Sequence, residues 1–555
     1  MRKLFALLLL LALASFTLPG CGGGGGGDTA PSQALQDLQG STSPTAPTGT
    51  LAGPPANLVL ATTAPPGTFL SQGGQATISA TVTDSSGNAV VDGTTVNFIA
   101  SGGTITASST TRQGLATATF QAGKSGGIVT ITCTVDTLSK NTTLQVTSGP
   151  AATITLASVA PGKIGVKGSG TPEVSTITFQ VLDDGGNPVN DGTPVNFKLA
   201  VPLSGGEKLD PATGLTASGK VSTTLISGTV AGIASVNASV TVNGVAIFSE
   251  ARVTIMAGKP DSNHLGLAAE KIYLKGYDTF GLQSVVTAYL ADRYSNPVPM
   301  NTPVHFATEG GIMSLQGTSG TPTNFTNGFG QATATWITAQ PTPDTVSAVT
   351  GTIGINSLLA FTEGHEAFVD INGNGVWDAG EPFDDLGEPF IDANDNGVWD
   401  GAVSVTGEER FIDANGNGLY DGPNGQRDQN VLIWVAMKTV FSDGPPIISI
   451  FPNLPGGFSV PNGGSFDFTV VIMDQNGNSM PEGSKLTVAV DKGRLLGKES
   501  FTYPIVDPLN PLTEFTYRIA DDDPLDTDPL ANATITITLT SPIGDETVRI
   551  FGTVD

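Results

Sequence analysis

The chain has 555 residues, with 50 Asp and Glu against 24 Lys and Arg, 71 Gly and 37 Pro, and a net charge of −26. That length exceeds a single core and suggests three to five domains, while the charge excludes a nucleic-acid binder that works through phosphates. Runs of helix formers are almost absent after the first 17 residues, so short strands and an all-β fold class are expected.

In chain order, Met1 to Lys3 are basic at their end and Leu4 to Thr17 form an apolar run too short to span a bilayer comfortably. Leu18-Pro19-Gly20-Cys21 then resembles a bacterial lipoprotein signal. The resemblance implies cleavage of residues 1–20, lipidation of Cys21 and the membrane as a partner through two acyl chains. Gly22 offers no inner-membrane retention signal, so an outer-membrane or cell-surface location is expected. Residues 21–55 are rich in Gly, Ser, Thr and Pro and read as a disordered tether spanning roughly 30 Å. The other cysteine, Cys133, alternates with apolar residues and is expected in a core.

A repeat with a period near 100 residues follows. Asp84, Asp183, Asp292 and Asp474 each precede an asparagine by four residues: Asn88, Asn187, Asn296 and Asn478. Period-2 strands flank each pair, and Gly93, Gly192, Gly483 and Asn301 occupy a second bend that suits positive φ. The runs Thr83–Phe98 and Leu182–Phe197, with the later Gly114–Phe120, Gly219–Leu225 and Gly330–Trp336, resemble bacterial Ig-like domains of the invasin and intimin type. The resemblance implies tandem β-sandwiches at 56–148, 149–257, 258–362 and 443–555. Residues 363–442 would then be an irregular calcium-binding segment between the third and fourth, fixing their angle. Val431 to Phe441 reads as a strand of that segment or of the fourth domain.

Residues 363–428 hold sixteen acidic residues against Arg410 and Arg427, and contain one pattern three times, its leading aspartates 22 and 21 residues apart. Side-chain oxygens at every second residue and a glycine bend are what a Ca²⁺ loop requires, because the ion takes six to eight oxygens. In the first copy the candidate ligands are Asp370, Asn372, Asn374, the carbonyl of Val376, Asp378 and, at position twelve, Glu381. The second offers Asp392, Asn394, Asn396, Val398 and Asp400, and the third Asp413, Asn415, Asn417, Leu419 and Asp421. Position twelve is Val403 or Asn424 in these, so Glu388 and Glu409 are candidates to close them. Ca²⁺ is the expected cofactor, in loops resembling EF-hand or dockerin loops. Phe368, Phe390 and Phe411, with Trp377, Trp399 and Tyr420, are expected to form a small core between the loops.

The three histidines lack zinc spacing, His305 reads as a surface residue, and no nucleophile elbow, P-loop or dinucleotide fingerprint occurs. The expected role is a non-catalytic, lipid-anchored envelope protein, a calcium-stabilised stalk for adhesion or scaffolding. The alternative is a calcium-dependent binding subunit for a surface polysaccharide or protein partner, with no nucleic acid.

Overall fold

The computed structural model describes residues 52–64, 68–314, 323–401, 409–522 and 529–555, so the signal segment, Cys21 and most of the tether lie outside it. Alternation decides the local structure: Gln75–Thr83 reads QATISATVT and Leu115–Gln121 reads LATATFQ, and both bury every second side chain. Among the described residues the only helical turn is Ser262–His264.

Four domains of nine strands share one topology. Counting strands from the start of each domain, the smaller sheet runs 1-3-7-5 and the larger 2-9-8-4-6. The second strand lies parallel to the ninth, and the other pairs are antiparallel, giving tandem Ig-like sandwiches. Each has its own core: Ile78, Phe98, Phe120 and Ile131 in the first, Ile177, Phe179, Val195 and Leu225 in the second, Trp336, Phe306 and Phe441 in the third, Phe468, Ile472, Leu486 and Ile537 in the fourth. Cys133 sits inside the first core, where burial pushes its thiol up to about 11, as a small apolar residue would sit. The expected left-handed bend is present at Gly93, Gly192, Asn301 and Gly483, with φ of 91°, 85°, 70° and 80°.

The third domain does not end at residue 362. Val431–Phe441 is its ninth strand, paired in register with the eighth, Ile355–Gly364, from Ile355↔Val440 to Gly364↔Val431, and with Tyr273–Leu274 on its other edge. Ile433 and Phe441 are fully buried in the third core. Residues 365–430 are therefore an insertion at a hairpin tip within this domain, not a segment between sandwiches. The same tip is the two-residue Asn243-Gly244 turn in the second domain, with φ of 51° and 80°, a geometry that matches strand twist.

The Asp-x-x-x-Asn pairs are both turns and joints. Asp183 Oδ1 accepts from the N–H groups of Gly185 and Asn187, closing the turn, and its Oδ2 accepts from Gly149 of the preceding linker at 2.9 Å. Asp84, Asp292 and Asp474 do the same with Gly53, Gly258 and Asp443, at 3.1, 2.8 and 3.2 Å. The asparagines reach back to the preceding domain: Asn187 Nδ2 to the Lys124 carbonyl (2.7 Å), Asn296 Nδ2 to that of Thr229 (2.8 Å) and Asn478 Nδ2 to that of Ile353 (2.8 Å). Between domains three and four, Tyr273 adds a bond from its hydroxyl to the Val506 carbonyl.

Candidate metal centre

The first acidic loop is folded by its own side chains. Asp370 accepts from Asn374 N–H on Oδ1 (3.2 Å) and from Gly375 N–H on Oδ2 (2.8 Å), and Asn374 Oδ1 accepts from Val376 N–H (2.7 Å). Positive φ at Gly373 and Gly375, 70° and 88°, allows this double bend. The amides of Asn372 and Asn374 both donate to Asp378 Oδ2, at 2.6 and 2.7 Å. Glu381 closes the loop, Oε1 accepting from Ile371 N–H and Oε2 from Asp378 N–H.

The second and third loops repeat every one of these bonds, with a change in who closes them. Asp392 accepts from Asn396 and Gly397, and Asp413 from Asn417 and Gly418. Asn394 and Asn396 donate to Asp400, while Asn415 and Asn417 donate to Asp421. The second loop is closed by Glu409, which accepts from Ala393 and Asp400 N–H at 2.9 Å each. The third is closed by Glu388, which accepts from Ala414 and Asp421 N–H at 2.7 and 3.1 Å. Each glutamate thus precedes one loop in sequence and closes the other.

A fourth loop of the same design, split in sequence, is present. Asp385 accepts from Asn424 N–H on Oδ1 (2.9 Å) and Gly425 N–H on Oδ2 (2.7 Å). Asn424 Oδ1 accepts from Gln426 N–H, and its amide donates to Asp428. Glu366 closes it, accepting from Leu386 and Asp428 N–H at 2.7 Å each. The main chain of every closing glutamate also donates to the ninth-position carbonyl: Glu366 to Asp428, Glu381 to Asp378, Glu388 to Asp421 and Glu409 to Asp400. Gly387 stands where Asn372 stands in the first loop, so the split loop has one side-chain oxygen fewer.

The sequence carries a signal for this fourth member: Glu-x-Phe-x-Asp occurs at Glu366-Ala-Phe368-Val-Asp370, Glu381-Pro-Phe383-Asp-Asp385, Glu388-Pro-Phe390-Ile-Asp392 and Glu409-Arg-Phe411-Ile-Asp413. The four form two reciprocal pairs. Phe368 bridges to Phe383 within one pair and Phe390 to Phe411 within the other. The expected aromatic core is there: Trp377 packs edge-on to Phe383, Trp399 stacks on Tyr420 at 4.5 Å, and Phe390 and Phe411 flank them.

The module rests on the outer face of the third domain's larger sheet. Ile391 and Ile412 pack on Leu359, Phe361, Leu432 and Trp434. His305, expected on the surface, is half-buried and stacks on Phe361 at 5.1 Å. Asp395 takes the left-handed position (φ 62°) that Gly373 and Gly416 take in loops one and three. Its carboxylate, buried, pairs with Lys438 of the ninth strand, which also donates to the Asp392 carbonyl at 2.8 Å. Loop one instead lies at the joint with the second domain: Lys167 of the second domain donates to the Gly373 carbonyl, and Arg293 of the third to that of Gly375. The module therefore bears on the joint between domains two and three, where the sequence suggested three and four.

Two of the closing glutamates sit beside other carboxylates. Burial, then Asp428 and Asp385, push Glu366 above its ordinary range, and burial with Asp392 does so for Glu409. Asp413, accepting from Gly418, is held below the usual range. Among the described residues no three Asp, Glu, His or Cys side chains converge as a finished cage. Each contiguous loop instead combines two aspartates, two asparagine oxygens and the carbonyl of Val376, Val398 or Leu419, whose side chains face solvent. This hard-oxygen set fits Ca²⁺. The asparagine amides of each loop donate to Asp378, Asp400 or Asp421, and their oxygens accept main-chain N–H groups.

No family model matches the chain, and no curated protein matches it. Among solved structures it is similar to FdeC, an Escherichia coli adhesin, at 18% identity over 56% of this chain and 94% of that one, with a TM-score of 0.36. It is also similar to invasin, a bacterial integrin-binding protein (14%, 90% and 79%, TM-score 0.35), and to InvD of Yersinia pseudotuberculosis (19%, 72% and 97%, TM-score 0.29).

Proposed function

We propose that the protein is a non-catalytic, lipid-anchored rod of the cell envelope, of adhesion or scaffold type, whose third domain carries a calcium module that braces the joint to the second. The observation that carries the calcium reading is the fourfold repetition of one loop closed by a buried glutamate. The split loop is counted with the three contiguous ones. Ca²⁺ would bind Asp370, Asn372, Asn374 and Asp378 and their counterparts. The export signal, the tether and the serial sandwiches support a surface location, with Cys21 as the lipid site.

The deciding experiment is thermal unfolding and limited proteolysis of the full chain with Ca²⁺ and with chelator. An ion bound at a hundred times its dissociation constant stabilises the binding state by about 2.7 kcal/mol. Chelation is expected to lower the melting point of the third domain and open residues 365–430 to protease, leaving the first and fourth domains unchanged. Unchanged melting and cleavage would overturn the calcium reading. Cys21→Ser is expected to release the protein from the membrane fraction, and retention there would overturn the anchor.

A further inference from the structure

The loop-one end of the module closes a cavity of about 800 Å³ whose other walls are loop 168–171 of the second domain and linker 256–260. In a chain of net charge −26, its lining holds Lys259, Arg293 and Arg427 against one carboxylate, Glu173. The geometry points to a binding site for a carboxylate-bearing sugar, the acid group meeting Arg427 and the ring lying toward Trp377. This goes beyond the calcium reading and rests on it only in that loop one supplies a wall.

Both guanidiniums are held on Phe368, their central carbons 4.0 Å (Arg293) and 4.4 Å (Arg427) from the ring centroid. Arg293 is largely engaged, donating to the Gly375 carbonyl and lying 3.5 Å from Asp370. Among the described residues Arg427 donates only its Nε, to the Glu366 carbonyl at 3.1 Å, and no carboxylate lies within ion-pair reach of it. A planar fork beside an apolar wall suits a carboxylate, which it can take through two hydrogen bonds. The hydroxyls and amides of Thr302, Gln429 and Asn430 on the lining match sugar hydroxyls, and the volume is that of a small-ligand site.

The test is calorimetric titration of the full chain, in Ca²⁺, with a hyaluronan octasaccharide, its carboxyl-reduced form and an octaglutamate peptide. Binding of the native sugar alone is expected, weakened at least tenfold by Arg427→Gln and partly recovered in Arg427→Lys. The Ca²⁺-dependent melting shift of the unaltered chain, measured beside each titration, separates failure at this site from failure of the calcium module. Equal binding of the reduced sugar, preference for the peptide, no binding at all, or no effect of Arg427→Gln in a folded variant would each overturn the proposal.

Discussion

One hairpin tip is spanned by two residues in the second domain and by residues 365–430 in the third, yet the eighth and ninth strands beneath keep the same pairing. What changes is the sequence of those strands. In the second domain Gly232–Val242 buries one face, in the pattern ieBiBiBiBei, whereas Ile355–Gly364 in the third is buried on both, BBBBBBBBeB. An insertion at a tip is tolerated because it ends no ladder, but once it folds back on the sheet it makes the outer face apolar too.

That contrast can be broken most severely by replacing residues 365–430 with Asn-Gly. The third domain would then expose Leu359, Phe361, Leu432 and Trp434, and the variant is expected to aggregate. Threonine at those four positions should restore a soluble monomer, checked by light scattering. Phe441→Ala is expected to cost about 3–5 kcal/mol in urea unfolding. It should abolish Ca²⁺ binding with it, while Ile255→Ala, at the matching strand of the second domain, should leave the ion count unchanged. Smaller in effect, Glu409→Gln should weaken the second loop and Glu388→Gln the third, roughly tenfold each, by terbium luminescence. The reverse assignment would show that each glutamate serves its neighbour in sequence. Asn296→Ala should cost about 1 kcal/mol, through the bond to Thr229, seen as faster proteolysis of the linker between domains two and three.

A further effect concerns pH. Burial raises Glu309, beside Lys438 and Asp395, to about 8. A carboxyl whose folded pKa exceeds its unfolded one, near 4.5, contributes stability that is full below 4.5 and is lost as pH rises through 8. The melting point of the third domain should carry a falling component across that window, absent in Glu309→Gln.

The fold was legible where alternation was clean. Val82, Val181, Leu290 and Ile472 end strands whose buried faces can be read directly, and the four Asp-x-x-x-Asn pairs marked the turns. VLIWVAMKTVF did not reveal its place because a strand covered on both faces loses its period of two. The three contiguous loops were legible from spacing alone. The fourth was not, because loops two and three interrupt it between Gly387 and Pro423, and Arg427 replaces the aromatic at its eighth position. Reach across a joint could not be read either: nothing local to Asn187 or Asn478 says that its amide is spent on another domain.

The clasps made by those asparagines take main-chain carbonyls, of Lys124, Thr229 and Ile353. A clasp that recognises backbone is indifferent to the side chain on the residue it grips. Units of this kind can be duplicated, lost or exchanged within a chain and keep this clasp, so the length of the chain of domains can change by whole units while the backbone part of each joint stays the same.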